Sequence, residues 1–198
     1  MFPLSSVLFP GAVLPLRVFE PRFLRLMEDA AADRKRFGVV LIERGREVGG
    51  GDHRFTVGTE AHVVGMGPSG DGDLIVLAVG MHRFEVDDWL PDDPYPVACV
   101  NPLEDEDGIP SAADLERCSL LLRRIYALAS ELGSEVGVLP ELSDDPQVAM
   151  WELCTNAPVG QLDRQRLLES VKAAERLNRL ATMLEEGAAV VEARLAGG

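Results

Sequence analysis

The fold is decided by residues 4–23, which read LSSVLFPGAVLPLRVFEPRF. Two apolar runs are separated there by Pro10-Gly11, a pair that favours a turn because proline fixes φ and glycine accepts positive φ values. The pattern predicts a short strand over residues 7–9 and a second strand over residues 13–19. Pro15 has no N–H for a ladder hydrogen bond, so the second strand is expected at a sheet edge or at a bulge.

A helix is predicted over residues 21–32, because Pro21 suits the first helical position and apolar residues follow at spacings of three and four. Its apolar face contains Phe23, Leu26, Met27 and Ala30. Further strands are predicted over residues 38–43, 55–64, 74–79, 82–86 and 95–100. Gly58 is expected at a bulge or a close backbone approach. Residues 1–102 are therefore expected to form a small, mostly antiparallel β-barrel or sandwich with one early helix.

The composition changes at the acidic run Glu104-Asp105-Glu106-Asp107, and β-type residues almost vanish after it. Residues 103–110 are therefore predicted to be a linker between two domains. Ser111 suits the N-cap of a long helix. Three further helices are predicted to begin at Pro146, at Asp163 and near Leu177. Residues 111–198 are expected to form a helical bundle, which gives the whole chain an α+β fold.

The net charge of −14 argues against a basic surface for nucleic acid. Residues 1–102 contain 10 basic and 15 acidic side chains, and residues 103–198 contain 9 and 18. Residues 1–36 are the exception, with 6 basic against 4 acidic side chains. A local contact with an anion is therefore expected, if anywhere, near the start of the chain.

The first sixteen residues carry no charged side chain, but three prolines interrupt them and no basic segment precedes them. This pattern is neither a secretion signal nor the run of roughly 20 apolar residues that crosses a bilayer. A cytoplasmic location without membrane insertion is therefore expected. Cys99, Cys118 and Cys154 are odd in number and widely spaced, so neither a disulfide framework nor a zinc site is indicated.

Residues 65–70, GMGPSG, match the GxGxxG pattern of dinucleotide-binding proteins. Such a site also needs a helix directly after the glycines, whereas another predicted strand follows here, so a hairpin loop is the favoured interpretation. The three histidines have no HExxH or GxSxG motif nearby. No catalytic residue, no cofactor and no metal ligand is predicted, and an enzyme with a small-molecule pocket has no supporting residues.

The opening motif also carries a family resemblance. Its segments Val7-Leu8-Phe9-Pro10-Gly11, Leu14-Pro15-Leu16-Arg17 and Phe19-Glu20-Pro21-Arg22-Phe23 resemble the start of the Lon protease N-terminal substrate-binding domain. Similar segments follow at Phe37 to Ile42, Val57-Gly58-Thr59, Gly80, Arg83-Phe84, Pro94-Tyr95-Pro96 and Asp163 to Glu169. The resemblance covers nearly the whole chain. It implies a PUA-like β-barrel followed by a helical bundle, and a role in engaging unfolded or damaged polypeptide.

The chain differs from full-length Lon proteases because it contains neither an ATPase nor a peptidase domain, and its last predicted helix ends at Gly197-Gly198. The first hypothesis is a stand-alone, non-enzymatic module that binds unfolded or extended polypeptide, by strand addition or in a groove. It would act as an adaptor or regulator in protein quality control, beside a protease or a chaperone. The oligomeric state stays open.

The candidate binding residues are Phe9, Arg17, Phe19, Glu20, Arg22 and Trp89. For the aromatic residues the alternative is a place in the core. For the charged residues the alternative is an ion pair within the chain. A second hypothesis is RNA binding, because PUA-like barrels contact RNA elsewhere. The arginines available for it are Arg17, Arg22, Arg25, Arg34 and Arg36.

Overall fold

The computed structural model describes residues 1–44, 53–70, 72–106, 108–133 and 139–197, so Asp107 of the predicted linker and Gly198 lie outside the described residues. The chain divides into two compact units, Met1–Glu104 and Asp105–Gly198. The first unit contains strands β1 (Phe2–Leu4), β2 (Val13–Val18), β3 (Arg36–Arg44), β4 (His53–Pro68), β5 (Leu74–Leu90) and β6 (Val97–Pro102), with helix α1 (Pro21–Ala32). The second contains α2 (Ala112–Glu131), α3 (Pro146–Asn156), α4 (Gln161–Glu169) and α5 (Ala173–Gly197).

The strands form one mixed sheet with the order β1-β3-β4-β5-β2, and β6 pairs with β5 beside β2. β1 and β3 are parallel, and the other described pairs are antiparallel. The predicted α+β class is therefore confirmed. The described pairings leave β1 and β2 at the two ends of the sheet, so it is not closed and a barrel is not confirmed. In these pairings β2 lies at an edge of the sheet, which is one of the two positions predicted from its proline, Pro15.

The turn at Gly11 packs directly on β5. Gly11 has a φ of 78°, its N–H donates to the carbonyl of Gly80 at 2.8 Å, and the N–H of Gly80 donates to the carbonyl of Ala12 at 2.9 Å. A Cβ atom at Gly80 would lie only 2.3 Å from the carbonyl oxygen of Phe9. Glycine is therefore required at residue 80, because two backbone segments touch there.

Two strand predictions were wrong. Residues 7–9 are not a strand, and instead the hydroxyl of Thr59 donates to the carbonyl of Leu8 at 2.6 Å. Residues 74–90 form one long strand rather than two, because the irregularity near residues 80–83 is a shift in the register with β4 and not a break. Gly58 is a close approach as predicted, since a Cβ atom there would lie 2.3 Å from the Val39 carbonyl oxygen.

Helix α1 has the predicted bounds, and it buries its predicted apolar face, Phe23, Leu26, Met27 and Ala30. Phe23 stacks on Phe2 of β1, with ring centroids 4.2 Å apart. The main core of the first unit lies between this helix and one face of the sheet. Part of the opposite face of the sheet is therefore not covered by this core and can contact other groups.

Two helices of the second unit, α2 and α3, begin where they were predicted to begin. The hydroxyl of Ser111 accepts from the N–H of Asp114 at 3.1 Å, and the carboxylate of Asp145 caps α3. Gly133, with a φ of 75°, follows the end of α2, and α4 begins two residues before the predicted Asp163. α2 packs along α5, and it buries Cys118 and its other central apolar residues. α5 begins at Ala173, four residues before the predicted Leu177. All four predicted helices are present, while a bundle arrangement is not confirmed.

Candidate functional site

Three strands of the first unit present an exposed face, called here the open sheet face. It consists of Val13, Pro15 and Arg17 of β2, Ile75 and Leu77 of β5, and Gly65 and Gly67 of β4. Pro15, Leu77 and Gly65 lie opposite one another across the three strands, and Arg17, Ile75 and Gly67 form the next row. Directly opposite residues of antiparallel strands have their side chains on the same face, so the two rows are neighbours on one surface.

The side chains on the opposite, buried face of β2 and β5 fix the positions of these strands. Val18, Val76 and Ala78 alternate with the exposed residues and are almost completely buried in the main core. A slip of one residue would move these side chains into water, so the register is strongly specified. The exposed apolar side chains are therefore held on a rigid support and do not belong to a fraying segment.

The open sheet face exposes large apolar side chains side by side. Val13 is 61% exposed, Ile75 is 47% exposed and Leu77 is 42% exposed. Single apolar residues are common on protein surfaces, whereas neighbouring ones on a rigid sheet indicate a place where another apolar surface binds. This is the strongest candidate for a binding site in the first unit.

Gly65 and Gly67 have no side chains, so the part of the open sheet face that β4 forms is recessed relative to the part that β5 forms. A Cβ atom at Gly67 would meet nothing within 4 Å, and one at Gly65 would meet only Leu77 Cβ at 3.8 Å. Neither glycine has the positive φ of Gly11. Neither the backbone conformation nor the surrounding space requires glycine at these two positions. Glycine inside a strand also lowers the stability of that strand. The result is a shallow trough beside Ile75 and Leu77, called here the glycine trough.

The charged candidates of the opening motif form ion pairs within the chain. Arg17 Nε lies 2.5 Å from Asp73 Oδ2, at the end of the open sheet face, and its side chain is 59% exposed. Arg22 Nε donates to Glu20 Oε2 at 3.1 Å, and the Arg22 guanidinium lies 4.3 Å from the centre of the Phe23 ring. In the structure these charged residues therefore form ion pairs within the chain, which was the alternative to contact with a ligand.

The three aromatic candidates lie in different surroundings. Phe9 is 0% exposed, so its side chain belongs to the core, whereas Phe19 is 52% exposed directly after β2. Trp89 lies near the other end of β5, packed on a small cluster around Phe84, with Arg54 at 4.8 Å from its ring centre. Phe19 therefore follows Arg17 by two residues in the chain, whereas Trp89 lies on the part of β5 that pairs with β6 and not with β2.

The arginines proposed for RNA contact are mostly paired with carboxylates. Arg25 contacts Glu28 and Asp29, Arg36 contacts Glu60 at 3.0 Å, and Arg17 and Arg22 have the partners given above. A phosphate backbone would have to compete with these carboxylates, and the net charge of −14 would repel it. The geometry does not favour RNA binding.

Residues 65–70 lead from β4 into the antiparallel strand β5, which confirms the hairpin interpretation of the GxGxxG pattern. In the part of the chain that the structure describes, no group of three or more His, Cys, Asp or Glu side chains is arranged to hold a metal ion. None of the described helices combines the length and the apolar character that a membrane span requires.

Ile75 and Leu77 were not among the predicted binding residues. The run from Leu74 to Val79 is apolar on both faces, which is typical of a strand covered on both sides. Only the pairing of this run with the edge strand β2 reveals that one side is exposed. An apolar run next to a glycine-rich hairpin was the signal available in the sequence, and it does not distinguish a buried strand from an exposed one.

The comparisons with known proteins agree with this architecture. The family model described as the ATP-dependent protease La (LON) substrate-binding domain matches residues 1–186, so the chain belongs to this family. The matched model describes a substrate-binding domain, not an ATPase or a peptidase domain. The predicted family resemblance is therefore confirmed.

Two curated relatives are similar over nearly the whole chain. The Lon protease of Anaeromyxobacter dehalogenans (strain 2CP-C) is 30% identical over 184 residues, which cover 91% of this chain and 22% of the relative. Lon protease 2 of Myxococcus xanthus is 29% identical over 185 residues, with 91% and 22% covered. The chain thus spans about a fifth of the length of these relatives, as the 22% coverage shows.

Two solved structures share the fold. The Lon N-terminal domain protein from Xanthomonas campestris has a TM-score of 0.69 and 28% identity, with 91% of this chain and 95% of that chain covered. The N-terminal domain of the Mycobacterium avium complex Lon protease has a TM-score of 0.60 at 14% identity, with 92% and 96% covered, which shows the fold alone.

Proposed function

We propose that this chain recognises protein substrates by holding an extended apolar segment of polypeptide on the open sheet face, without chemistry of its own. The observation that carries the proposal is the exposure of Val13, Ile75 and Leu77 side by side on strands that are fixed by the core. Unfolded polypeptide exposes apolar side chains that folded proteins bury. Membership of a substrate-binding domain family supports this type of ligand.

Docking on the face is favoured over strand addition at the edge of β2. Hydrogen-bonded and non-hydrogen-bonded residue pairs alternate along an antiparallel ladder. The N–H of Gly80 donates to the carbonyl of Ala12, so every second residue counted from Ala12 directs its backbone groups to β5. Val13, Pro15 and Arg17 direct their backbone groups to the outer edge. Pro15 has no N–H, so an added strand would lose a donor in the middle of its ladder.

The glycine trough gives the open sheet face room for a large side chain of the ligand. A leucine or an aromatic ring lying over Gly65 and Gly67 would touch their backbone and the sides of Ile75 and Leu77. Close approach of another group is a common reason for glycine inside a strand. We expect a preference for ligands with bulky apolar side chains over ligands with only small ones.

Other residues have supporting roles in this proposal. Phe19 adds apolar surface after β2, and Arg17 with Asp73 supplies a polar rim of the kind that surrounds apolar interfaces. Glu20 and Arg22 hold the start of α1, and Trp89 lies in a separate cluster. A non-enzymatic adaptor or regulator in cytoplasmic protein quality control, acting with a protease or a chaperone, is the wider role that we propose.

The test is a binding titration with a reduced and carboxymethylated model protein that stays unfolded, labelled for fluorescence anisotropy, without ATP. The double variant Ile75→Ser/Leu77→Ser is expected to lose roughly tenfold or more in affinity, because centrally placed apolar contacts dominate binding. The matched control is Leu120→Ser/Leu162→Ser, which changes two leucines of the second unit that are each 59% exposed. Thermal unfolding checks that each variant is folded.

The proposal fails if the wild-type chain does not bind the unfolded protein. It also fails if the control variant weakens binding as much as the double variant does, because general surface hydrophobicity would then explain the effect.

A further inference from the structure

Strand β4 is longer than its pairing with β3. The described pairing of the two strands reaches from His53 to His62, where Arg36 lies opposite. Before Arg36 the chain turns away toward α1 through Arg34 and Lys35, whose φ values are 51° and 57°. Residues 64–68 of β4 continue beside β5 on the other side. In the described pairings they form a second edge of the sheet, called here the free β4 edge.

Met66 directs its backbone groups outward from the free β4 edge. It lies opposite Val76 of β5. Backbone groups point to alternate sides along a strand, and the N–H of Gly80 in β5 donates to the carbonyl of Ala12 beside β2. Val76 lies an even number of residues from Gly80, so it also faces β2. The N–H and the carbonyl of Met66 therefore point away from β5.

The hydrogen bond of Val63 supports this direction. Val63 lies opposite Ala78, which faces β2 in the same way, and its N–H donates to the carbonyl of Lys35 at 2.8 Å. A bulge at Val64 inserts one residue, so Met66 faces the same side as Val63. Among the described residues, the chain itself thus fills the position beside β4 at Val63 and leaves it open at Met66.

The free β4 edge is accessible and adjoins the open sheet face. Val64 is 56% exposed and Met66 is 45% exposed. A chain paired with Met66 would place its neighbouring residues opposite Gly65 and Gly67, with their side chains on the open sheet face. A Cβ atom at Gly67 would meet nothing within 4 Å, so no side chain of β4 obstructs them there. Main-chain pairing at the edge and a side chain in the glycine trough are therefore compatible.

Pro68 limits how long such a pairing can be. Pro68 is the next residue of β4 that faces outward, because it lies opposite Leu74, and proline has no N–H. The N–H of Val63 is already bonded to Lys35. Donors for a long ladder are thus missing on both sides of Met66. This edge suits a short extended segment better than the full strand of a second copy of the chain.

Basic residues lie where the free β4 edge meets β3. Arg34 and Lys35 are exposed, and neither forms an ion pair with a carboxylate in the part of the chain that the structure describes. Lys35 is bonded to Val63, and about 10 Å of strand, or three residues, separates Val63 from Met66. A carboxylate of the bound segment at this distance would meet complementary charge.

We propose that the free β4 edge pairs through Met66 with the backbone of an extended apolar segment that carries an acidic residue about three positions away. The inference rests on the proposed function and adds to it the main-chain contact and the charge preference. Unpaired N–H and carbonyl groups at a sheet edge bind extended backbone of any sequence. The glycine trough then selects a bulky apolar side chain, and Arg34 with Lys35 selects the carboxylate.

The test is residue-resolved amide hydrogen exchange, measured by NMR on the full 198-residue chain with and without a short peptide. The peptide has phenylalanine at its centre, β-branched neighbours and glutamate at both ends, so that either chain direction brings a carboxylate to Arg34 and Lys35. On binding, the amide of Met66 is expected to exchange roughly tenfold or more slowly, because it becomes hydrogen-bonded. The amide of Val13, at the outer edge of β2, is the internal control and is expected to stay unchanged.

The charge preference is tested with the variant Arg34→Asn/Lys35→Asn, since asparagine accepts the left-handed conformation of both positions. It is expected to bind the glutamate peptide roughly threefold or more weakly, and a glutamine version of the peptide as the wild type does. The matched control is Arg123→Gln/Arg194→Gln, which removes two exposed arginines of the second unit.

Unchanged exchange at Met66 with the peptide bound would overturn the pairing at this edge and leave docking on the open sheet face standing. Equal slowing at Val13 would also overturn it, because general stabilisation would then explain the effect. Failure of the peptide to bind at all would overturn the proposed function together with this inference. An equal loss of affinity in the control variant, or for the glutamine peptide, would overturn the charge preference.

Discussion

Pro15 of β2 lies directly opposite Leu77 of β5, at a position where the backbone of β2 faces away from β5. A proline at this position costs no ladder hydrogen bond, because its nitrogen points to the outer edge. It also removes a donor from an edge that another chain would otherwise use for pairing. The same residue therefore protects the edge of the sheet and contributes to the face that we propose for binding.

Replacing Pro15 by valine is expected to increase self-association, because the new N–H adds a hydrogen-bond donor at the outer edge of β2. Sedimentation velocity over a range of protein concentrations measures the effect. The matched control is Pro140→Val, which changes an exposed proline of the second unit. If the Pro15→Val protein associates no more than the wild-type chain and the control, Pro15 does not protect this edge.

The glycine trough makes a second prediction about the binding surface. The variant Gly67→Val places a side chain in open space on a strand, and valine favours strands, so the free energy of unfolding is expected to stay the same or to rise by up to about 1 kcal/mol. Binding of a peptide with a central phenylalanine is expected to weaken roughly tenfold, because the trough is filled.

A peptide with alanine at the centre is the matched ligand for this experiment, and Gly70→Ala is the matched variant. Gly70 also has open space around it, but it lies in the turn between β4 and β5. Equal binding of the phenylalanine peptide by Gly67→Val and wild type would show that the trough does not receive the side chain. The open sheet face itself would remain a candidate, because its test uses other residues.

The parts of the fold that depend on local chemistry were predictable from the sequence. Helix α1 has its predicted bounds because Pro21 and the apolar spacing act within a few residues of one another. The N-caps Ser111 and Asp145 are local signals of the same kind. The strand predicted over residues 7–9 failed because the Pro10-Gly11 turn packs on Gly80, a contact with a distant part of the chain.

The candidate site was less predictable, because exposure depends on which strands are neighbours. Phe9 and Phe19 are both aromatic residues of the opening motif, yet one is fully buried and the other is half exposed. Ile75 and Leu77 became candidates only through their register with β2. Arg176 gave no signal at all, because its partner Asp105 lies 71 residues earlier in the chain.

The three cysteines are expected to differ in reactivity. Cys99 is exposed, whereas burial raises the pKa of Cys118 to about 11 and that of Cys154 to about 12. A thiol reagent at neutral pH should therefore modify Cys99 quickly and the other two only after unfolding, since the thiolate is the reactive form. Mass spectrometry of the native and the urea-unfolded chain measures this difference.

The raised pKa values of the two buried thiols also predict how the free energy of unfolding changes with pH. The folded chain keeps the protons of Cys118 and Cys154 at pH values where the unfolded chain, with a pKa near 9, releases them. Their contribution is fully present below pH 9 and is lost as the pH rises toward 11 or 12. The double variant Cys118→Ala/Cys154→Ala should flatten the loss of stability in this range, and a loss equal to that of the wild type would contradict the assignment.

Replacing Arg176 by lysine keeps the positive charge and tests whether the shape of the guanidinium matters. Lysine cannot bind Asp105 with two parallel bonds while also reaching the carbonyl of Leu167, and it loses the flat contact with Trp151. The change is expected to lower the free energy of unfolding of the second unit by about 2–4 kcal/mol, because buried groups lose their partners.

The control is Arg179→Lys on the same helix, where the arginine pairs with Glu175 and both side chains are 47% exposed. An exposed pair of this type contributes about 0.5 kcal/mol or less, so the control should unfold almost as the wild-type chain does. Urea denaturation followed by tryptophan fluorescence compares the two variants. If Arg176→Lys and Arg179→Lys are equally stable, charge alone holds Asp105 and the directional bonds contribute little, whereas a loss confined to Arg176→Lys shows that the guanidinium geometry is required.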